Sequence, residues 1–259
     1  MDRRRFMKLS GGATLFSSMA PIFSFPFSGG LNSGTPHICI FSKHLQWLGY
    51  EEMARLAREI GFTGIDLTVR EGGHVEPENA GRDLPEAVNP IRKEGMEVPM
   101  ITTEITDPED PLTRQILESA GKLGIPVYMT GWFTYRQGMR VEDQLKQAAE
   151  QLRNLQDLNR SIQIAASYQN HSGGYTWDTS EGATIWNVPL GEGLVPFQLY
   201  FGKLKELGIR ADFSLHLEYP LGGAEDGSGN LEISEDEFVK QVKADLHYLE
   251  RLVEGSFKT

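Results

Sequence analysis

One unit recurs along this chain and limits its fold more than any other feature: an amphipathic helix, a glycine, one apolar residue, then a short strand. It occurs at Ile60-Gly61-Phe62, Glu94-Gly95-Met96, Leu123-Gly124-Ile125 and Leu207-Gly208-Ile209. A glycine there ends a helix in the left-handed conformation that other residues avoid. Met53, Leu56, Ala57 and Ile60 mark the buried face of the first helix, and Ile116, Leu117, Ala120 and Leu123 that of the third. Strands are expected to follow at Gly64–Val69, Val98–Thr103, Pro126–Trp132 and Asp212–Tyr219. Strands alternating with helices form βαβ units around a parallel sheet. With this many units, a (β/α)8 barrel is the leading architecture.

The spacing then falls short. Gly61 and Gly95 stand 34 residues apart, and Gly95 and Gly124 stand 29 apart, so one unit takes roughly 30 residues. A fourth helix is expected over Val141–Ser161 and a fifth strand over Gln163–His171. Three further units before Gly208 would need roughly 90 residues, but about 46 are present. One helix, Val195–Leu207, and one strand-like run fit there, while residues 171–187 are polar, Gly-rich and without period. The expectation is an incomplete barrel of about six βα units, with an internal deletion near 175–186. The last helix has the clearest signal: Ser234 and Glu237 form a capping-box pair, followed at helical spacing by Phe238, Val242, Leu246, Leu249 and Val253.

Composition narrows the function. Of 259 residues, 39% are hydrophobic, enough for one sizeable core. The net charge of -11 argues against a nucleic-acid partner, because phosphate-backbone binders carry a basic face. Cys39, the lone cysteine, excludes an intramolecular disulfide and reads as a buried structural thiol.

Residues 1–35 read as a targeting segment and linker, and residues 36–259 as the barrel domain. Arg3-Arg4-Arg5-Phe6-Met7-Lys8 resembles the bacterial twin-arginine export signal, and Ser28-Gly29-Gly30-Leu31-Asn32-Ser33-Gly34 reads as a flexible linker. The apolar stretch from Leu9 to Phe27 is broken by Gly11-Gly12, Pro21 and Pro26, so no membrane span is expected once the signal is removed. The resemblance implies a periplasmic or otherwise exported protein.

Strand parity gathers polar residues on one face. Asp66, Thr68 and Arg70 alternate with Ile65, Leu67 and Val69, while Ser214, His216 and Glu218 alternate with Leu215, Leu217 and Tyr219. In a barrel the polar face fills the interior. Arg70, Glu104, Trp132, Gln169, His171, His216 and Glu218 would then converge at one rim.

The motifs along the chain are specific enough to compare with a family. Phe41-Ser42-Lys43-His44, Gly64-Ile65-Asp66-Leu67-Thr68-Val69-Arg70 and Gly72-Gly73-His74-Val75-Glu76-Pro77 resemble the xylose isomerase-like sugar phosphate isomerase/epimerase family. So do Gln169-Asn170-His171-Ser172-Gly173, Val188-Pro189-Leu190-Gly191-Glu192-Gly193 and Leu215-His216-Leu217-Glu218-Tyr219. The resemblance covers nearly all of residues 37–255. It implies a divalent cation (Mn²⁺, Mg²⁺ or Co²⁺) held by Glu, Asp, His and Glu, with the glutamates moving a proton beside a sugar carbonyl. Carried over, Glu218 matches the final metal ligand and acid/base. Gln169 takes the first ligand position as an amide, which cannot act as a base. The Asp and His ligands belong in the short stretch.

As contacts for a small carbohydrate, the expected residues are Arg70, His74, Trp132, His171 and His216. Arg70 would take a sugar hydroxyl or carboxylate, with an ion pair to Glu76 or Asp66 as the alternative. Trp132 and Tyr135 would stack on a ring, or pack the rim. His74 would touch substrate, or serve as a turn histidine, and His44 could line the site. Two function classes remain: an exported sugar isomerase or epimerase, and a catalytically degenerate carbohydrate-binding homologue. Oligomeric state is not legible from the sequence.

Overall fold

The computed structural model describes residues 36–134, 136–169 and 187–257, all within one folded unit, Asn32–Thr259. Six strands form one all-parallel sheet: β1 (Ile38–Phe41), β2 (Gly64–Val69), β3 (Glu97–Thr103), β4 (Val127–Met129), β5 (Ala165–Ser167) and β6 (Phe213–Leu215), in the order β5-β4-β3-β2-β1-β6. Helices α1 (Tyr50–Ile60), α2 (Ala80–Lys93), α3 (Pro111–Lys122), α4 (Val141–Ile162), α5 (Phe197–Glu206) and α6 (Glu235–Phe257) follow the strands. β1 sits between β2 and β6, pairing Ile40 with Ile65 on one side and Leu215 on the other. Among the described residues nothing pairs β5 with β6. The architecture is the expected incomplete (β/α) barrel, six strands curled without closing.

The repeated glycines do what the repeat requires. Gly61, Gly95, Gly124 and Gly208 all take positive φ just after a helix, where a side chain would be strained. The helix faces read from periodicity are the buried ones: Met53, Leu56, Ala57 and Ile60 on α1, and Phe238, Val242, Leu246, Leu249 and Val253 on α6. They join one core with Ile65, Leu67, Val69 and Ile101 of the sheet. Cys39 lies inside it, and burial pushes its thiol well above the usual range. At the start of α6, Ser234 Oγ accepts from the Glu237 amide at 3.2 Å. The Glu237 carboxylate turns to Gln241 and Lys240 instead of reaching back, so half of the expected capping box forms.

Three strands are shorter than expected. The segment over Pro126–Trp132 keeps only Val127–Met129 in the ladder, after which the Gly131 amide donates to the Ile105 carbonyl beyond the end of β3. β5 starts at Ala165 because Gln163 closes α4 in the left-handed conformation, φ 63°. β6 leaves the ladder after Leu215: the Leu217 amide donates at 2.9 Å to His44 Nε2 instead of to a strand. Leu215, Leu217 and Tyr219 still face the core together, so the alternation outlasts the pairing. The segment suspected of a deletion, 175–186, and residues 1–35 lie outside the described residues.

Opening the sheet has a visible consequence on the helices at its ends. On and beyond α5, Leu199, Tyr200 and Leu207 are exposed, Leu207 at 67%. On α4, Val141, Leu145 and Leu152 are exposed as well. These are helical faces that a closed barrel covers with neighbouring units.

Candidate functional site

The polar residues picked out by parity do meet on the concave side. Asp66 is fully buried on β2 and accepts from Thr102 Oγ1 of β3 and from Ser214 Oγ of β6, each at 2.8 Å. β6 is not a neighbour of β2, so the second bond crosses over β1, which only a curled sheet permits. His216 Nε2 approaches the same carboxylate at 3.5 Å. Ser42, just past β1, accepts from the Thr68 amide at 2.8 Å and lies 3.1 Å from its hydroxyl. A buried network of this kind fixes strand ends relative to one another.

Phe41, the last residue of β1, is the platform of the rim. The His216 imidazole stacks on it, while the Arg70 guanidinium and Lys43 Nζ lie 5.6 Å and 5.8 Å from its centroid. Both distances fall within cation–π range. Lys43 Nζ donates to Glu218 Oε1 at 3.0 Å, with side-chain exposures of 14% and 48% respectively. Beside Arg70 a cavity of about 270 Å³ opens at the ends of β3 and β4, walled by Glu104, Thr130, Gly131 and Trp132. Trp132 is 47% exposed.

The expected site residues therefore divide. Arg70 and Trp132 line the cavity, and Glu104 joins them. His216 and Glu218 flank Phe41. Gln169 is half-buried just beyond β5, and His171, like Tyr135, lies outside the described residues. His74 does not line the cavity: its Nε2 sits 3.2 Å from the Leu45 carbonyl. Burial lowers its pKa to about 4.

His44 does not line the site either. Its Nδ1 sits 3.0 Å from the Ala224 carbonyl, which can only accept, so Nδ1 donates and Nε2 is free to accept from Leu217. Burial drives its pKa down to about 3. It is a neutral brace between the turn after β1 and the strand end. Phe41 and Lys43 are rim residues that parity did not single out, whereas Thr130 shares the strand face of Trp132. Phe41 and Lys43 were visible only as the motif Phe41-Ser42-Lys43-His44.

Among the described residues, the donors at this rim do not fit a divalent cation. Asp66 already receives two hydroxyl bonds, and Glu218 is engaged by Lys43. Among the described residues no group of three or more His, Cys, Asp or Glu side chains is placed to hold a metal. Among the described residues, Glu218 and Gln169, the expected ligands, are not joined by others.

No protein-family model and no curated protein sequence matches this chain. Solved structures do match its fold. A D-allulose 3-epimerase from Methylomonas sp., in complex with D-allulose, aligns over 84% of this chain and 97% of its own with TM-score 0.58 at 13% identity. A 3-keto-D-glucoside 4-epimerase from E. coli aligns over 83% and 99%, with TM-score 0.58 at 14% identity. A xylose isomerase-like TIM barrel protein from Mycobacterium smegmatis, in complex with magnesium, aligns over 86% and 98%, with TM-score 0.57 at 13% identity. At such identities the likeness defines the fold: a xylose isomerase-like (β/α) barrel, here incomplete.

Proposed function

We propose that this protein binds a small carbohydrate at the strand-end rim, and that its described residues serve binding rather than a metal-assisted proton transfer. The observation that carries this reading is the state of the carboxylates. Asp66 is spent on Thr102 and Ser214 and Glu218 on Lys43, while Arg70 remains at a cavity of monosaccharide size that Trp132 also lines. Aromatic and arginine walls with a few polar groups are what a polyhydroxylated ligand uses. The fold's likeness to an epimerase holding D-allulose supports the ligand class.

That same likeness favours a second reading, sugar isomerisation or epimerisation, in which Glu218 moves the proton. One experiment separates them. Thermal unfolding with millimolar D-allulose or D-xylose is expected to raise the midpoint, because a ligand of the folded state stabilises it by mass action. Mn²⁺, with EDTA as control, is expected to leave it unchanged. No rise with any sugar would overturn the carbohydrate reading. A Mn²⁺-dependent rise, with solvent deuterium entering the sugar beside its carbonyl, would establish the second reading instead.

We also propose that the protein is exported by the twin-arginine route, on the strength of Arg3-Arg4-Arg5-Phe6-Met7-Lys8. Cell fractionation should find it in the periplasm, and Arg3→Lys with Arg4→Lys should retain it in the cytoplasm. An unchanged distribution would end the proposal. Among the described residues no helix is long and apolar enough to cross a membrane.

A further inference from the structure

We infer that the cavity beside β3 and β4 selects a sugar acid, with the ligand carboxylate on Arg70 and a ligand hydroxyl on Thr130; this rests on the carbohydrate reading above. Arg70 is half-buried and, among the described residues, its side chain makes neither a hydrogen bond nor an ion pair; its contact is the Phe41 ring. Surface arginines such as Arg82 and Arg140 hold aspartates of their own. A guanidinium oriented on an aromatic face, with its five N–H groups uncommitted, presents the planar fork that matches a carboxylate.

The second observation is independent of the first. Thr130 is almost fully buried, lines the same cavity, and among the described residues its hydroxyl has no hydrogen-bond partner. The other deep threonines there are committed: Thr102 donates to Asp66, and Thr103 donates to the Met129 carbonyl at 2.7 Å. A buried hydroxyl without a partner carries a desolvation cost that a ligand hydroxyl would remove. Glu104 on the wall would repel a carboxylate placed against it, so the ligand must turn a hydroxyl that way and its charge toward Arg70. The ring then lies between, against Trp132. With a net charge of -11, the chain as a whole does not attract anions, so the preference must come from Arg70 locally.

Isothermal titration of the full chain with D-galacturonate, D-galactose and glycolate tests this. Galacturonate should bind at least about tenfold more tightly than galactose, the range of a charge-assisted hydrogen bond. Arg70→Met should remove that preference, lowering galacturonate affinity far more than galactose affinity, and Arg70→Lys should restore part of it. Raising the salt should narrow the preference, since the site is partly open to solvent. Thr130→Val should weaken both sugars about threefold to tenfold. Unfolding midpoints of each variant show whether it is folded. Equal affinity for the two sugars, or a preference that survives in Arg70→Met, would overturn the inference and leave the carbohydrate reading standing. Glycolate binding through Arg70 with no sugar bound would overturn the carbohydrate reading and keep an anion site. Binding of none of the three would end both.

Discussion

The imidazole of His216 lies face to face on the ring of Phe41, with centroids 4.1 Å apart and planes 8° apart. Phe41 ends β1, and His216 immediately follows β6, its neighbour in the sheet. The stack fixes the plane of the imidazole while Asp66, 3.5 Å from Nε2, fixes its edge. Oriented from two directions, the histidine forms part of the wall of the rim.

Phe41→Leu should therefore act on three side chains at once. Losing the aromatic face and part of the side-chain volume should cost about 1–2 kcal/mol of stability. Arg70 and Lys43 lose their platform, so sugar affinity should fall more than stability does. Urea unfolding and titration of the same variant check both; unchanged affinity would remove Phe41 from the site.

His44 and His74 give the protein an acid-sensitive brace. Burial lowers their pKa values from 6.5 to about 3 and about 4. Folded-state values below the unfolded value mean that the folded protein prefers them neutral. Their stabilisation is complete above about pH 6.5 and is lost as pH falls toward 4 and then 3. His44→Asn should cost about 1–3 kcal/mol at pH 7 by disrupting the bonds with Leu217 and Ala224. It should also flatten the fall in unfolding midpoint between pH 6.5 and pH 4. A variant with the same pH slope as the parent would refute this role.

Gly131 holds the cavity open by close approach, not by an unusual φ. A Cβ there would collide with the backbone carbonyl of Glu104, which is the wall opposite β4. Gly131→Ala should cost about 1–3 kcal/mol through overpacking and should weaken ligand binding, because Glu104 and Trp132 must separate. Differential scanning calorimetry with and without sugar reads both effects.

The open edges should show in unfolding and in solubility. A six-stranded sheet whose ends are unpaired among the described residues, with exposed apolar faces on α4 and α5, should give a low urea midpoint or a broad transition. A sharp transition at high urea would contradict this. Replacing Leu199 by Lys and Leu207 by Glu should reduce light scattering at high concentration and change stability by no more than about 0.5 kcal/mol.

Much of this arrangement was legible in the chain. The helix–glycine–strand repeat set the parallel sheet and its six strands, because helix ends and strand faces are local matters of backbone freedom and alternation. Asp66 shows where that legibility stops. Its inward face followed from parity with Thr68 and Arg70. Its partner Ser214 is 148 residues away and meets it only because the sheet curls over β1. His44 shows the same limit from the other side: a histidine beside a strand end reads as a site residue until Leu217 and Ala224 claim its two nitrogens.

The sequence by itself determined the elements, their order and the faces they bury, since all of these are written in periods of a few residues. Only the tertiary structure decided which polar residues remain available to a ligand. Availability is what is left after neighbours distant in the chain have taken their hydrogen bonds. At this rim they leave Arg70 and Thr130 uncommitted while Asp66 and Glu218 are spent.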